Sequence, residues 1–242
     1  MRRVTFIVAL IVVSASPAWA QLGHETELFA YRRAVVALES RNSRMSVEEL
    51  YRRGLRVRQA LLSEKHGVLV IEGLPTDDYE ALRRQLVGFV VNREEAIVVS
   101  PDPEYFARLA RTYGDEGDRA FFAAYAVTRP GGVWPAWSEH QTDSSGCTRF
   151  GTGALVSSYR TWVEYQRAYP KRYRDEVEGF IGAIEFELSE STCACDDLTA
   201  VARELDEFEK TFPQSRVSER IRSRIMDLRE KRSLIRPKCV AG

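Results

Sequence analysis

The chain has 242 residues, with 35 lysine and arginine against 35 aspartate and glutamate, and 44% of it is hydrophobic. So even a balance excludes the positive excess that binding along nucleic-acid phosphates demands, and with it strong general adhesion to anionic membranes. There is enough chain for one large domain or two small ones.

Arg2 and Arg3 precede an apolar run from Val4 to Ala15, and Ser16-Pro17-Ala18-Trp19-Ala20 ends it with a small-x-small step. This is the layout of a secretory signal peptide over residues 1–20, cleaved to leave Gln21 first. The run is too short to span a bilayer, and no later stretch approaches 18 consecutive apolar residues. An exported protein, periplasmic or secreted, without a transmembrane segment in its mature part is expected.

Residues 21–128 read as mainly helical. Leu28, Tyr31, Val35 and Leu38 form one stripe, and Ser46 with Glu49 forms a capping box ahead of Leu50, Leu55, Val57 and Leu61. Thr76 is placed to cap a third helix carrying Tyr79, Leu82, Leu86 and Phe89. Asp102-Pro103-Glu104 gives a cap, a first-turn proline and an acidic first turn to a fourth, which Gly114 ends. Asp118 is read as the start of a short apolar helix bearing Phe121, Phe122 and Tyr125; the acidic run Asp115-Glu116-Gly117-Asp118 lacks the spacing of a calcium loop. Val68–Ile71 and Ala96–Val99 are short and rich in β-branched residues, so a minor two-stranded element, paired across the third helix, is expected here at most.

Residues 129–153 hold the densest cluster of breakers, Arg129-Pro130-Gly131-Gly132-Val133-Trp134-Pro135-Ala136-Trp137, and are read as a connecting loop. Trp134, Trp137, Glu139, His140, Asp143 and Arg149 combine flat aromatic surfaces with hydrogen-bonding groups, the mixture that grips sugars, peptides or aromatic ligands. The competing reading is that both tryptophans plug the seam between halves. His24, His66 and His140 form no helix-borne zinc pattern, Ser144 and Ser145 lack a Gly-x-Ser-x-Gly setting, and no cofactor is implied.

Residues 154–242 repeat themselves. Trp162-Val163-Glu164-Tyr165-Gln166-Arg167-Ala168-Tyr169-Pro170 recurs as Leu205-Asp206-Glu207-Phe208-Glu209-Lys210-Thr211-Phe212-Pro213, with Tyr169 and Phe212 offset by 43 residues. Leu155, Tyr159, Trp162, Tyr165 and Tyr169 make one buried helix face, and Leu198, Val201, Leu205, Phe208 and Phe212 another. The partner helices carry Val177, Ile181, Ile184 and Leu188, then Val217, Ile221, Ile225 and Leu228. Two stacked αα-hairpins sharing a core follow. Arg216, Arg220 and Arg224 add a positive stripe, expected to be solvated and paired with Glu219, Asp227 and Glu230 of its own helix.

Cys147 and Cys193 flank the first copy, and Cys195 and Cys239 the second. In an exported protein they are structural disulfides. If the ends of each hairpin meet, Cys147 pairs with Cys193 and Cys195 with Cys239, each bridge clasping one hairpin. Because Cys193 and Cys195 are near neighbours, the exchanged pattern, Cys147 with Cys195 and Cys193 with Cys239, stands as the competitor.

The segment Glu207-Phe208-Glu209-Lys210-Thr211-Phe212-Pro213-Gln214-Ser215 resembles the aromatic-Pro-x-Ser step of tetratricopeptide-like helical repeats in bacterial envelope proteins, though the 43-residue offset departs from that family's 34. The resemblance implies partner binding on a concave helical face and carries over no catalytic residue. The sequence thus points to a mainly α fold of stacked αα-hairpins acting as a non-enzymatic binding or scaffold module, with another envelope protein or peptide as partner. The alternative is an envelope hydrolase of cell-wall or glycan material working at the loop between the halves.

Overall fold

A computed structural model of the chain describes residues 24–40, 45–65, 67–94, 96–142 and 145–239; the expected export segment and Asp143 lie outside the described residues. The order is α1 (His24–Glu39), α2 (Val47–Leu61), β1 (Glu64–Lys65), β2 (Val68–Leu69), α3 (Thr76–Gln85), β3 (Phe89–Asn92), β4 (Val98–Pro101), α4 (Pro103–Tyr113), α5 (Glu116–Thr128), β5 (Ser138–Thr142), β6 (Ser145–Thr148), α6 (Ala154–Ala168), α7 (Arg174–Ser189), α8 (Leu198–Thr211) and α9 (Ser218–Arg229). The fold is mainly helical, and α1 with α2, α4 with α5, α6 with α7 and α8 with α9 pack as hairpins.

Local signals set most helix ends. Ser46 accepts from the Glu49 N–H at 3.1 Å, and Asp102 from Glu104 and Tyr105 at 2.8 and 3.2 Å, with Pro103 as first residue and Gly114 as stop. Two ends differ from expectation. The cap of α5 is Asp115, and Asp118 is the third helical residue that closes a reciprocal capping box with it. Thr76 lies inside α3 behind Pro75, and Phe89 leaves the helix to begin β3.

The strands form three two-stranded antiparallel sheets among the described residues, β1 with β2, β3 with β4 and β5 with β6. The two apolar runs therefore do not pair with each other; each pairs with the segment nearest in sequence, Val91 opposite Val99 and Lys65 opposite Val68. A short hairpin closes at far less entropic cost than pairing across a helix. The third sheet turns part of the connecting loop into an ordered hairpin, Glu139 facing Cys147 and His140 facing Gly146.

One hydrophobic core draws residues from both sides of that loop. At its centre the Tyr51 ring meets Phe106, Phe121, Phe122, Tyr125 and Tyr173 edge-on, at centroid distances of 5.3–6.5 Å. Edge-to-face packing of this kind adds to burial because ring edges and faces carry opposite partial charge. Gly54 lets α2 approach β3, since a Cβ there would come within 2.3 Å of the Phe89 ring.

In the second half α6 packs on α8 and α7 on α9, so the hairpins stack layer on layer. Trp162, Leu205 and Phe208 are fully buried, but Leu198 is exposed and Val201 starts the inner face of α8. Glu204, also fully buried, reaches back from α8 to accept the Gly153 N–H at 2.8 Å, satisfying a free amide at the start of α6. The arginine stripe is solvent-exposed at Arg216 and Arg220, as expected, but its partners are not on its own helix: Arg216 pairs with Glu185 of α7, Arg220 with Glu190 just after α7 at 2.8 Å, and Arg224 donates to the Ser191 carbonyl at 2.5 Å. The side chains bridge the two layers.

The disulfides take the exchanged pattern. Cys147 bonds Cys195 and Cys193 bonds Cys239, with Cα separations of 5.0 and 5.4 Å, which corrects the clasp expected from hairpin ends. The cause is local. Residues around Ala194 run between two other segments, bridging Thr148 on one side and, through Cys193, Arg236 on the other. Thr148 N donates to the Cys193 carbonyl at 2.9 Å and Cys239 N to the Ala194 carbonyl at 3.0 Å. Backbone pairing in this small ladder, rather than the splay of the helices, decides which thiols meet. The two bridges fit an oxidising compartment.

Candidate functional site

Among the described residues, the loop positions singled out by sequence come together only in part. Trp137 is 2% exposed and belongs to the core, while Trp134 is 36% exposed and stacks on His140 at 4.4 Å with rings tilted by 21°. Adjacent residues of a strand project to opposite faces, which sets Glu139 on the side away from His140. Arg149 is exposed and its N–H bonds the Trp137 carbonyl at 2.8 Å. Trp137 is thus a core side chain and Trp134 a surface one. Trp137→Ala is expected to cost about 3 kcal/mol through the cavity left behind, and Trp134→Ala less, about 1 kcal/mol for the lost stack on His140; thermal unfolding of the two variants checks this.

The strongest polar constellation lies where the halves meet. Arg172, in the turn between α6 and α7, forms ion pairs with Glu48 of α2, with Asp115 and, at 2.6 Å, with Asp118. Tyr173 adds its hydroxyl to Asp118 at 2.6 Å and its N–H to Glu48 at 3.0 Å, from a left-handed backbone at φ 48°. Its ring stacks on Phe121 at 3.8 Å. Burial would raise the Asp115 carboxyl, but the Asp118 amide and the Arg172 guanidinium outweigh it and hold that group below the usual range. Burial pushes the Tyr173 hydroxyl well up, reinforced by Asp118. Every acid of this cluster is engaged by the arginine, so its evident work is to lock α2, α5 and α7 together.

Glu176, one turn along α7, is different. Its Oε2 is buried without a hydrogen-bond partner, and burial pushes the carboxyl up. A raised folded pKa means the fold binds that proton more tightly than the unfolded chain, so the ionised form weakens the fold above this pKa and the penalty is relieved as pH falls through it. Glu176→Gln is therefore expected to raise the melting temperature at pH 8 by about 2 °C, a small gain because solvent reaches the site. The gain should shrink as the pH is lowered, which a melting series over pH follows.

An open concave surface lies elsewhere, between α1 and the end of α3. Phe29, Val35 and Val36 of α1 face Arg84, Gln85 and Val87 across a groove of about 580 Å³, with Arg32 and Arg33 beside them. Phe29, Val36 and Val87 are 61%, 66% and 45% exposed. The groove is built on fixed elements: the Tyr31 hydroxyl holds the Val87 carbonyl at 2.6 Å, Arg32 Nη1 donates to Gln85 Oε1 at 3.0 Å, and the Arg33 guanidinium lies 5.8 Å from the Phe29 ring centroid. Sequence reasoning missed these residues. The signal was the doubling of apolar positions in α1, Leu28-Phe29 and Val35-Val36, which leaves Phe29 and Val36, seven residues apart, as a second stripe beyond what the core takes.

Among the described residues no helix is long and apolar enough to cross a membrane, and no three His, Cys, Asp or Glu side chains gather as a metal site would need. Comparison of the chain with protein-family models, with curated proteins and with solved structures finds no match in any of the three.

Proposed function

We propose that this chain is an exported helical binding or scaffold module of the bacterial envelope, which holds a partner protein or peptide rather than turning over a substrate. The observation that carries this reading is the α1–α3 groove, a fixed depression with three exposed apolar side chains. Surface of that composition is the usual mark of an interaction site. Export rests on the charged and apolar start of the chain together with two disulfides of the kind that persist in oxidising compartments. The stacking of α6 on α8 and α7 on α9 supports the helical-repeat likeness as part of the same proposal. The glycan-hydrolase alternative would pair the carboxylates of Glu139 and Asp143, and Asp143 lies outside the described residues.

The test is a photo-crosslinking side chain placed at Val36 in the full chain, with a second placed at the exposed Met226 of α9 as control. Illumination in the native envelope is expected to trap a protein from Val36 and not from Met226. No adduct from Val36, or the same adducts from both positions, would count against a binding module that uses this groove.

A further inference from the structure

We propose that the occupant of the α1–α3 groove is an acidic amphipathic peptide segment, bulky apolar residues on one face and aspartate or glutamate at its margins. This deepens the binding reading and rests on it. The charge of the groove carries the argument. Arg32, Arg33 and Arg84 line it and no acid does.

Some arginines of this chain are neutralised by acids. Arg83, next to Arg84, pairs with Glu80 at 3.2 Å, and Arg52, Arg53, Arg216 and Arg220 each have a carboxylate partner. Arg32, Arg33 and Arg84 have no ion pair among the described residues, although the chain as a whole carries as many acids as bases. Three unneutralised guanidinium groups around an apolar depression are complementary to carboxylates flanking an apolar stripe, and each offers a planar fork that matches a carboxylate.

Shape selects a peptide over a lipid surface. Phe29 and Val36 face Arg84, Gln85 and Val87 across a groove, which a helix or extended segment lying along α1 can fill and a flat bilayer surface cannot. The distance from Phe29 to Val36 is two helical turns, about 10 Å of α1. That length suits an anchor pair from a short segment.

The probe is a fluorescent peptide of about 14 residues, roughly four helical turns, with leucine and phenylalanine at helical spacing on one face and glutamate elsewhere. Its controls are the same peptide with lysine for glutamate, and phosphatidylglycerol vesicles. Fluorescence anisotropy with the full chain is expected to show the acidic peptide binding at least about tenfold more tightly than the basic one, and weakening several-fold as salt rises from about 0.05 to 0.5 M. The double variant Arg33→Glu, Arg84→Glu should abolish that preference. Phe29→Ala should weaken both peptides by about tenfold. All three side chains are exposed, and an unchanged melting temperature will show that the variants are folded. Equal binding of the two peptides, or vesicle binding that the acidic peptide fails to displace, overturns the proposal.

The crosslink at Val36 separates this idea from the broader one. An adduct with a basic or uncharged segment sinks the acidic occupant and leaves the binding module standing. An adduct with residues 1–23 of the same chain sinks the acidic partner as well. Absence of any adduct sinks both.

Discussion

Replacing Arg172 with alanine is expected to destabilise the fold by about 3–5 kcal/mol, the range for stripping one partner from a buried ion-pair cluster. Asp118 is 4% exposed at its side chain and Glu48 13%, and both lean on Arg172, so the substitution leaves Asp118 without its cation and Glu48 with Arg52 alone at the junction of α2, α5 and α7. The penalty is the desolvation of those acids rather than the intrinsic worth of the pair. For a chain of this size it corresponds to a fall in melting temperature on the order of 10 °C. Arg172→Lys is expected to recover less than half of the loss, because one ammonium cannot present the planar fork that meets Glu48, Asp115 and Asp118 together. A full recovery with lysine would mean that net charge alone, without fork geometry, holds the junction.

The second large effect belongs to the cysteines. Each bridge closes a loop of similar size, with sequence separations of 48 and 46, and in the chain-entropy account each disfavours the unfolded state by about 4 kcal/mol. Cys193→Ser is expected to free the thiol of Cys239, and Cys147→Ser that of Cys195, as alkylation followed by peptide mapping will show. Either variant should lose most of the 4 kcal/mol, and full reduction should lose both contributions. A free Cys147 in the Cys193→Ser protein would restore the clasp pairing and refute the ladder around Ala194.

What was legible in the sequence was what short-range chemistry fixes. Ser46, Asp102 and Gly114 act within one helical turn of themselves, and the buried faces of α6 to α9 follow from periodicity apart from Leu198. Asp115 and Asp118 are both good caps, and each accepts the other's backbone N–H, so residue type alone does not choose between them. Phe89 fits a helical stripe as well as it fits β3; its place is decided by the slot at Gly54. The polar sequence Ser138-Glu139-His140-Gln141-Thr142 gives no alternation of apolar residues to betray β5. The groove was hidden for a related reason. Periodicity marks the face a helix buries, and Phe29 and Val36 lie on the face that α1 leaves open.

The exchanged disulfides also reroute any pull on the chain. Tension entering at Cys147 crosses to Cys195, steps back through Ala194 to Cys193, and leaves through Cys239. Four helices hang off that covalent shortcut and never carry the load. A tethered molecule drawn out from its ends would fall short of full extension by nearly the whole stretch of 92 residues between Cys147 and Cys239, about 300 Å of contour, until a reductant opens the bridges. Built this way, the second half behaves as a rigid knot in the line.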